Sequence, residues 1–177
     1  MIGGRWAVVL VGRPADNHPQ QTGRRGALDV VDDRRTPADL LDECAEIAGL
    51  DGFDLDAAAT EASTKAPAFY SLADDGLRCA WWGRVWCNPP YSDCGAWVKK
   101  AHAEAHRCER IVMLLPANRT EQRWWQELVE PGRGDGSLVV RFLGGRRRFD
   151  RPGWVKPVKG DRPPFGLCVV VFAGGVA

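Results

Sequence analysis

The stretch GRVWCNPPY occupies residues 83–91, and it is the part of the sequence that best indicates the fold. Its first half belongs to an apolar run, Trp82–Cys87, that is typical of a buried strand. The two prolines fix their own φ angles and restrict the residues before them, so the chain leaves this strand in a rigid turn. The stretch therefore predicts a strand with a polar turn at its carboxyl end. The alternative is a turn that only terminates the strand, because Asn-Pro is a common turn opener.

Helices and strands are predicted to alternate on both sides of this turn. Thr36 is suited to cap a helix that has Pro37 at its first position and Gly49 after its last. The other predicted elements are a strand over Phe53–Ala59, a helix over 93–108 capped by Ser92, a strand over Arg110–Leu115, a helix capped by Thr120, and strands over Leu138–Leu143 and Leu167–Phe172. The alternation predicts an α/β fold in which helices cover both faces of a sheet.

Length and composition are those of one globular domain. The chain has 177 residues, of which 45% are apolar and 27% are charged, as in ordinary globular proteins. Residues 1–35 carry no clean period and are predicted to form a flexible N-terminal arm, which leaves 36–177 as the domain. There is no membrane-length apolar run and no recognisable signal peptide, so we expect a cytoplasmic protein that does not enter a membrane. The six cysteines form no Cys-x-x-Cys pair, so we expect reduced thiols and no metal site.

The net charge of +1 conceals two regions of opposite sign. Residues 29–61 hold 11 acidic and 2 basic side chains, whereas residues 133–162 hold 9 basic and 3 acidic ones. Within the basic region, Arg146, Arg147, Arg148 and Arg151 fall between two predicted strands. Clustered arginines on a loop can contact phosphate and read guanine, which indicates DNA binding. The alternative is a solvated hairpin.

The chemistry of an amino group explains the residue types after the central strand. An amino nitrogen attached to a base or an amide is a poor nucleophile, because its lone pair is delocalised. Hydrogen-bond acceptors that draw its two hydrogens out of plane restore that lone pair. The Asn88 side-chain oxygen and the Pro89 carbonyl can be those acceptors, held rigidly by the ring of Pro90. Tyr91 offers a flat face on which an extruded base can stack.

The order of short blocks along the chain resembles the phage-type DNA N-6-adenine methyltransferase family, a branch of the S-adenosylmethionine-dependent amino-methyltransferases. The blocks are RTP (35–37), FDLDAAA (53–59), DGL (75–77), RVWCNPPY (84–91), VMLLPA (112–117), WW (124–125), LGGRRRF (143–149) and PF (164–165). The resemblance covers about 36–173. It implies a compact Rossmann-like methyltransferase fold, a phage or prophage origin, and action in the cytoplasm of a bacterial host.

The resemblance also implies a set of cofactor-binding residues. These are Thr36 and Pro37 at the methionine end of S-adenosylmethionine, Asp54, Asp56 and Ala57 in the first-strand loop, and Asp75 and Leu77 at its adenine. The sequence departs from the family pattern at two points. Residues 57–60 read AAAT where Gly-x-Gly is usual, and the second-strand acid that binds ribose has no clear place.

The function implied by the resemblance is methyl transfer from S-adenosylmethionine to the exocyclic amino nitrogen of adenine in double-stranded DNA. The target base is flipped out and held by Asn88, Pro89 and Tyr91, and no cysteine acts as a nucleophile. One alternative is the same chemistry on guanine in RNA, on cytosine, or on protein glutamine. A second is a non-catalytic DNA-binding module with a methyltransferase-like fold, which the missing Gly-x-Gly favours.

Overall fold

The structure is a computed structural model that describes residues 35–150 and 163–175. Almost all of the predicted N-terminal arm and the predicted DNA contact Arg151 lie outside the described residues. The helices are α1 (Ala38–Ala48), α2 (Cys94–Glu104), α3 (Arg123–Leu128) and α4 (Glu130–Asp135), and the strands are β1 (Leu55–Asp56), β2 (Ala68–Phe69), β3 (Gly83–Cys87), β4 (Cys108–Pro116), β5 (Leu138–Phe142) and β6 (Leu167–Ala173). No helix in the described ranges is both long and apolar enough to cross a membrane.

The six strands form one mixed sheet in the order β2-β1-β3-β4-β6-β5. Neighbours among β2, β1, β3 and β4 are parallel, and β6 is antiparallel to both β4 and β5. The chain adds β2 on one side of β1 and β3 on the other, so the strand order reverses between β1 and β3. In open α/β sheets this reversal opens a crevice at the carboxyl ends of the strands, where ligands bind.

Helices pack on both faces of the sheet, as the alternating pattern predicts. On strand β4, Ile111 and Met113 belong to the apolar cluster that holds α2 and α3, whereas Val112 and Leu114 belong to the cluster that holds α1. A strand buried on both faces reads as a continuous apolar run, which is why β4 could be predicted from sequence.

The starts of the helices differ from the prediction. Thr36 does not cap α1. Pro37 holds the cap position with an extended backbone, and Thr36 is buried beside Asn88 instead. Helix α2 begins at Cys94 after a short 3₁₀ turn over Tyr91–Asp93, and α3 begins at Arg123, three residues beyond Thr120. The predicted stop at Gly49 is confirmed, since its φ of 68° places it in the left-handed region that ends helices.

Two elements escaped prediction, and one strand is shorter than predicted. The strand expected over Phe53–Ala59 contains only Leu55–Asp56, because the chain turns away immediately afterwards. Strand β2 has two residues, too few to show a period. Helix α4 has the sequence EPGRGD, whose proline and glycines indicate a loop.

Candidate functional site

A cavity of about 440 Å³ opens at the carboxyl ends of β1 and β3, where the strand order reverses. Its size is within the usual range for small-molecule sites. Five of the residues that the sequence singled out line it, namely Thr36, Asp56, Asp75, Asn88 and Pro90. The sequence-predicted turn and first-strand loop therefore face one crevice, as the topology requires.

Asn88 is positioned by the segment before helix α1. Its Nδ2 donates a hydrogen bond to Oγ1 of Thr36 at 3.3 Å, and the Thr36 side chain is only 2% exposed. This contact orients the amide with its nitrogen towards Thr36 and its oxygen on the other side. Thr36, predicted as a cofactor contact, thus lines the cavity and also fixes the group that stands at the end of β3.

The other residues of the turn divide between the cavity wall and the core. Pro90 lines the cavity, whereas Pro89 is buried beneath it. Tyr91 makes edge contacts with two aromatic rings, Phe149 at 6.2 Å and Phe165 at 5.8 Å between ring centroids. The tyrosine ring is therefore held by neighbours from two distant parts of the chain.

Asp56, the last residue of β1, is a buried carboxylate on the cavity wall. Its side chain accepts hydrogen bonds from the backbone N–H groups of Ala58 at 3.3 Å and Lys65 at 3.0 Å, so it closes the loop between β1 and β2. Burial raises the pKa of this carboxyl to about 6, although the two N–H groups and the Lys65 charge act to lower it. Desolvation outweighs the favourable contacts because the residue is only 2% exposed.

Asp75 also lines the cavity and has a strained backbone conformation. Its φ of 57° is the only positive φ of a non-glycine residue in the described chain, and its Oδ1 accepts a hydrogen bond from the Leu77 N–H at 3.3 Å. Leu77 and Ala57, also predicted to bind the cofactor, pack into the core and do not line the cavity. Pro37 is likewise absent from the lining and serves as the cap of α1.

Asp54 lies away from the cavity, at the amino end of β1. It is bound by Arg84 at the start of β3. Arg84 donates from Nη2 to Oδ1 at 2.8 Å, and from Nε at 3.0 Å and its backbone N–H at 2.8 Å to Oδ2. These hydrogen bonds hold the pKa of the Asp54 carboxyl below its ordinary value. The structure does not bring Asp54 together with the other predicted cofactor residues.

The predicted DNA-binding arginines do not share one environment. Arg146 and Arg148 are exposed. Arg147 instead turns towards helix α1, where its Nη2 lies 2.6 Å and 2.9 Å from the two carboxylate oxygens of Glu43. The acidic and basic regions of the sequence meet at this ion pair.

Several lining residues were not predicted as site residues. The cavity wall also contains two cations, Arg35 and Lys65, three hydroxyl side chains, Thr60, Ser63 and Ser71, and four larger side chains, Tyr70, Leu72, Trp86 and Trp97. Tyr70 and Ser71 follow β2 directly, so recognising that strand would have found them. Lys65 and Ser63 carry no comparable signal, because a loop of irregular backbone brings them in.

No thiol in the described part of the chain is placed as a nucleophile for this cavity. Cys87 immediately precedes Asn88, but burial raises the pKa of its thiol well above the ordinary value. A reactive cysteine needs an electropositive and partly exposed setting. Within the same ranges, no group of three or more His, Cys, Asp or Glu side chains is arranged to hold a metal ion.

Comparison with known proteins gives two matches. A protein-family model described as DNA N-6-adenine-methyltransferase (Dam) matches residues 26–150. A DNA N-6-adenine-methyltransferase of Escherichia phage T1 is 42% identical to the chain over 78 residues, which is 42% of this chain and 32% of that protein. The matched part therefore spans about a third of the length of the phage protein. The family match includes the segment at Thr36, the turn at Asn88 and the arginines at 146–148.

Proposed function

The chain belongs to the DNA N-6-adenine-methyltransferase (Dam) family, and on that premise we propose that it transfers a methyl group from S-adenosylmethionine to the exocyclic amino nitrogen of adenine in double-stranded DNA. The observation that carries the proposal is the shared cavity, which the Asn88 turn and the Asp56 loop both line at the carboxyl ends of neighbouring strands. Such a cavity can bring a target amino group and a methyl donor together.

We also propose that the fold is a Rossmann-like methyltransferase fold. Four neighbouring parallel strands, helices on both faces and a reversal of strand order between β1 and β3 support this assignment. The reversal lies beside Asp56, the position where a Rossmann-like sheet binds its cofactor.

The residues of the cavity fit S-adenosylmethionine, which carries a carboxylate, an ammonium group, ribose hydroxyls and an adenine. Arg35 and Lys65 can pair with its carboxylate, and the carboxylates of Asp56 and Asp75 can accept from the ammonium group and the hydroxyls. The fully exposed Leu72 side chain, at 97% exposure, can cover the adenine at the rim. S-Adenosylmethionine supplies an electrophilic methyl group on its sulfonium sulfur.

Asn88 and Pro89 prepare the target nitrogen for attack. The Asn88 side-chain oxygen accepts one hydrogen of the adenine amino group, and the Pro89 carbonyl accepts the other. Because both acceptors are preorganised by the turn and by Thr36, the amino lone pair is released without reorganisation during the reaction. The amino nitrogen would form its bond to the methyl carbon as the bond from that carbon to sulfur breaks, which would leave a neutral thioether. The methylated nitrogen would then release one proton to water, because the two carbonyl oxygens accept hydrogen bonds but are too weakly basic to take up a proton.

Adenine reaches these acceptors only when it is out of the duplex, so base flipping is part of the proposal. Tyr91 does not line the cavity, but its ring remains partly exposed and is the aromatic surface that we propose for stacking of the flipped base. The exposed side chains of Arg146 and Arg148, together with Arg151 in the following residues, supply phosphate contacts that keep the duplex at the mouth of the cavity.

The purified full chain tests the proposal directly. It is incubated with methyl-labelled S-adenosylmethionine and with equal amounts of duplex DNA, RNA or protein, and the products are identified as nucleosides or amino acids by mass spectrometry. We expect N6-methyladenine in the DNA, and far less of it with the Asn88→Ala variant. Label in RNA or protein would favour the alternative substrates. Cofactor binding by calorimetry without any transfer would favour a non-catalytic DNA-binding module.

A further inference from the structure

Residues 143–150, here called the arginine segment, are attached to the start of the domain at two polar contacts. Arg147 is paired with Glu43 of helix α1, and the two side chains are 33% and 35% exposed. Asp150 forms a backbone bridge with Arg35, in which each N–H donates to the carbonyl of the other at 3.0 Å and 2.9 Å. Between these contacts, Phe149 is 8% exposed and packs in the same apolar cluster as helix α1.

The arginine segment is connected to two of the residues that the proposed reaction uses, Asn88 and Tyr91. Arg35 is covalently joined to Thr36, whose hydroxyl accepts the hydrogen bond from Asn88. Phe149 contacts the ring of Tyr91 edge-on. The arginine segment therefore contacts the residue that precedes Thr36 and the ring of Tyr91, although it lies more than fifty residues from Asn88 and Tyr91 in sequence.

We propose that Arg147 is a positioning residue, whose ion pair with Glu43 holds the arginine segment against α1 and thereby fixes Asn88 and Tyr91. The kinetic part of this inference rests on the proposed function. The Arg147 guanidinium is paired with a carboxylate of the protein, so it should contribute little to the attraction of phosphate.

This ion pair can position the arginine segment even though it contributes little to stability. A pair that remains about one-third exposed adds little to the free energy of unfolding. It joins segments 104 residues apart in sequence, however, at a point where both carboxylate oxygens meet one guanidinium nitrogen. Its loss lets the segment shift without unfolding the core, and shifts of about 1 Å at a remote support can cost about 100-fold in rate.

Charge reversal tests the inference in the full-length protein. The variants are Arg147→Glu, Glu43→Arg and the double exchange that restores the pair in the opposite sense. Glu46→Arg, an exposed change on the same helix, is the matched control. Three properties are measured, namely kcat for DNA methylation, hydrogen exchange at the amides of Arg35 and Asp150, and the ¹⁹F spectrum of protein labelled with 3-fluorotyrosine. The chain has two tyrosines, so Tyr70→Phe assigns the Tyr91 signal.

We expect each single reversal to lower kcat by about 10- to 100-fold, to accelerate exchange at both amides and to shift the Tyr91 resonance. The double exchange is expected to restore all three, and Glu46→Arg to change none. A phosphate contact at Arg147 would predict the opposite, since a glutamate there repels DNA whatever residue occupies position 43. An unrestored double variant, or single variants with normal kcat and an unshifted Tyr91 signal, would overturn the inference.

The salt dependence of DNA binding gives a second, independent criterion. Arg146→Met should lower the slope of log affinity against log salt by about 0.9 if Arg146 meets one phosphate. Arg147→Met should leave the slope unchanged, and an equal fall in both variants would contradict the inference. If the wild-type chain methylates no DNA at all, the proposed function fails, and the exchange and fluorine measurements then decide the positioning role alone.

Discussion

Asp54 immediately precedes strand β1 and Asp56 ends it, yet the environments of their carboxylates are opposite in character. At the amino end, Asp54 accepts hydrogen bonds from the Arg84 guanidinium, which lower the pKa of its carboxyl. At the carboxyl end, Asp56 is buried against backbone N–H groups without a comparable cationic partner, and burial raises its pKa to about 6. The first carboxylate joins two strands at a solvent edge. The second stands at the wall of a cavity, where perturbed carboxylates are characteristic of functional sites.

We expect the largest effect from a variant at the carboxyl ends of the strands, which should lose activity. A variant at the amino end of β1 should lose only stability. Asn88→Ala, at the carboxyl end, should lower the rate of methyl transfer by about 100-fold or more, because a preorganised acceptor for the amino group is lost. Asp54→Asn, at the amino end, should leave the rate per folded molecule unchanged and lower the free energy of unfolding by about 1 kcal/mol. Single-turnover kinetics and urea unfolding of both variants measure the two quantities.

The affinity for S-adenosylmethionine shows whether a loss of activity in these variants comes from weaker cofactor binding. Asn88 contacts the target base rather than the cofactor, so calorimetry should give a nearly wild-type dissociation constant for Asn88→Ala. An Asn88→Ala variant that keeps most of its turnover would show that the acceptor mechanism is wrong. A strong loss of activity in folded Asp54→Asn would show that the two ends are not functionally distinct.

Sequence patterns predicted one end of the sheet better than the other. The turn at Asn88 follows an apolar strand and contains two prolines, so its place at the carboxyl end of that strand could be predicted. Asp54 and Asp56 could not be told apart, since residues two apart on a strand share a face. Their difference depends on Arg84, 30 residues further along the chain. The pairing of Arg147 with Glu43 carries no sequence signal for the same reason, because the two residues are 104 positions apart.

The next largest effect is on the pH dependence of the free energy of unfolding, to which Asp54 and Asp56 should contribute with opposite signs. The pKa of Asp54 is lowered by folding, so its contribution to stability is full above the ordinary aspartate pKa and is lost as the pH falls through the lowered one. The pKa of Asp56 is raised from 3.8 to about 6. Its contribution is therefore full below about pH 4 and is lost as the pH rises through 6.

Urea unfolding of wild type, Asp56→Asn and Asp54→Asn between about pH 3 and pH 7 measures how the free energy of unfolding changes with pH. The stability of wild type relative to Asp56→Asn should fall by about 2–3 kcal/mol as the pH rises across this range, since each pKa unit corresponds to about 1.4 kcal/mol. Relative to Asp54→Asn, wild-type stability should rise over the acid part of the same range. Slopes of equal sign would contradict the contrast between the two carboxylates.

The smallest expected effect comes from two glycines, one at each end of the sheet. A Cβ on Gly76 would lie 2.2 Å from the Ala57 carbonyl oxygen and 3.2 Å from the Trp97 ring, so the wall of the cavity must move. A Cβ on Gly83 would lie 2.7 Å from Oδ2 of Asp54, and the glycine has a φ of 64°. Both alanine variants should lose about 1–2 kcal/mol of unfolding free energy, from overpacking in the first and from overpacking and backbone strain in the second.

Cofactor affinity distinguishes the two alanine variants, because only one of the glycines borders the cavity. Calorimetry at a temperature where both are folded should give a raised dissociation constant for S-adenosylmethionine in Gly76→Ala and a wild-type value in Gly83→Ala. Gly134→Ala is the matched control, since no atom lies within 4 Å of its Cβ position and it sits inside helix α4. It should be neutral or stabilising by up to about 1 kcal/mol. Equal affinities in Gly76→Ala and Gly83→Ala would place the cofactor away from the part of the wall formed by Gly76 and would remove the functional distinction between the ends of β1.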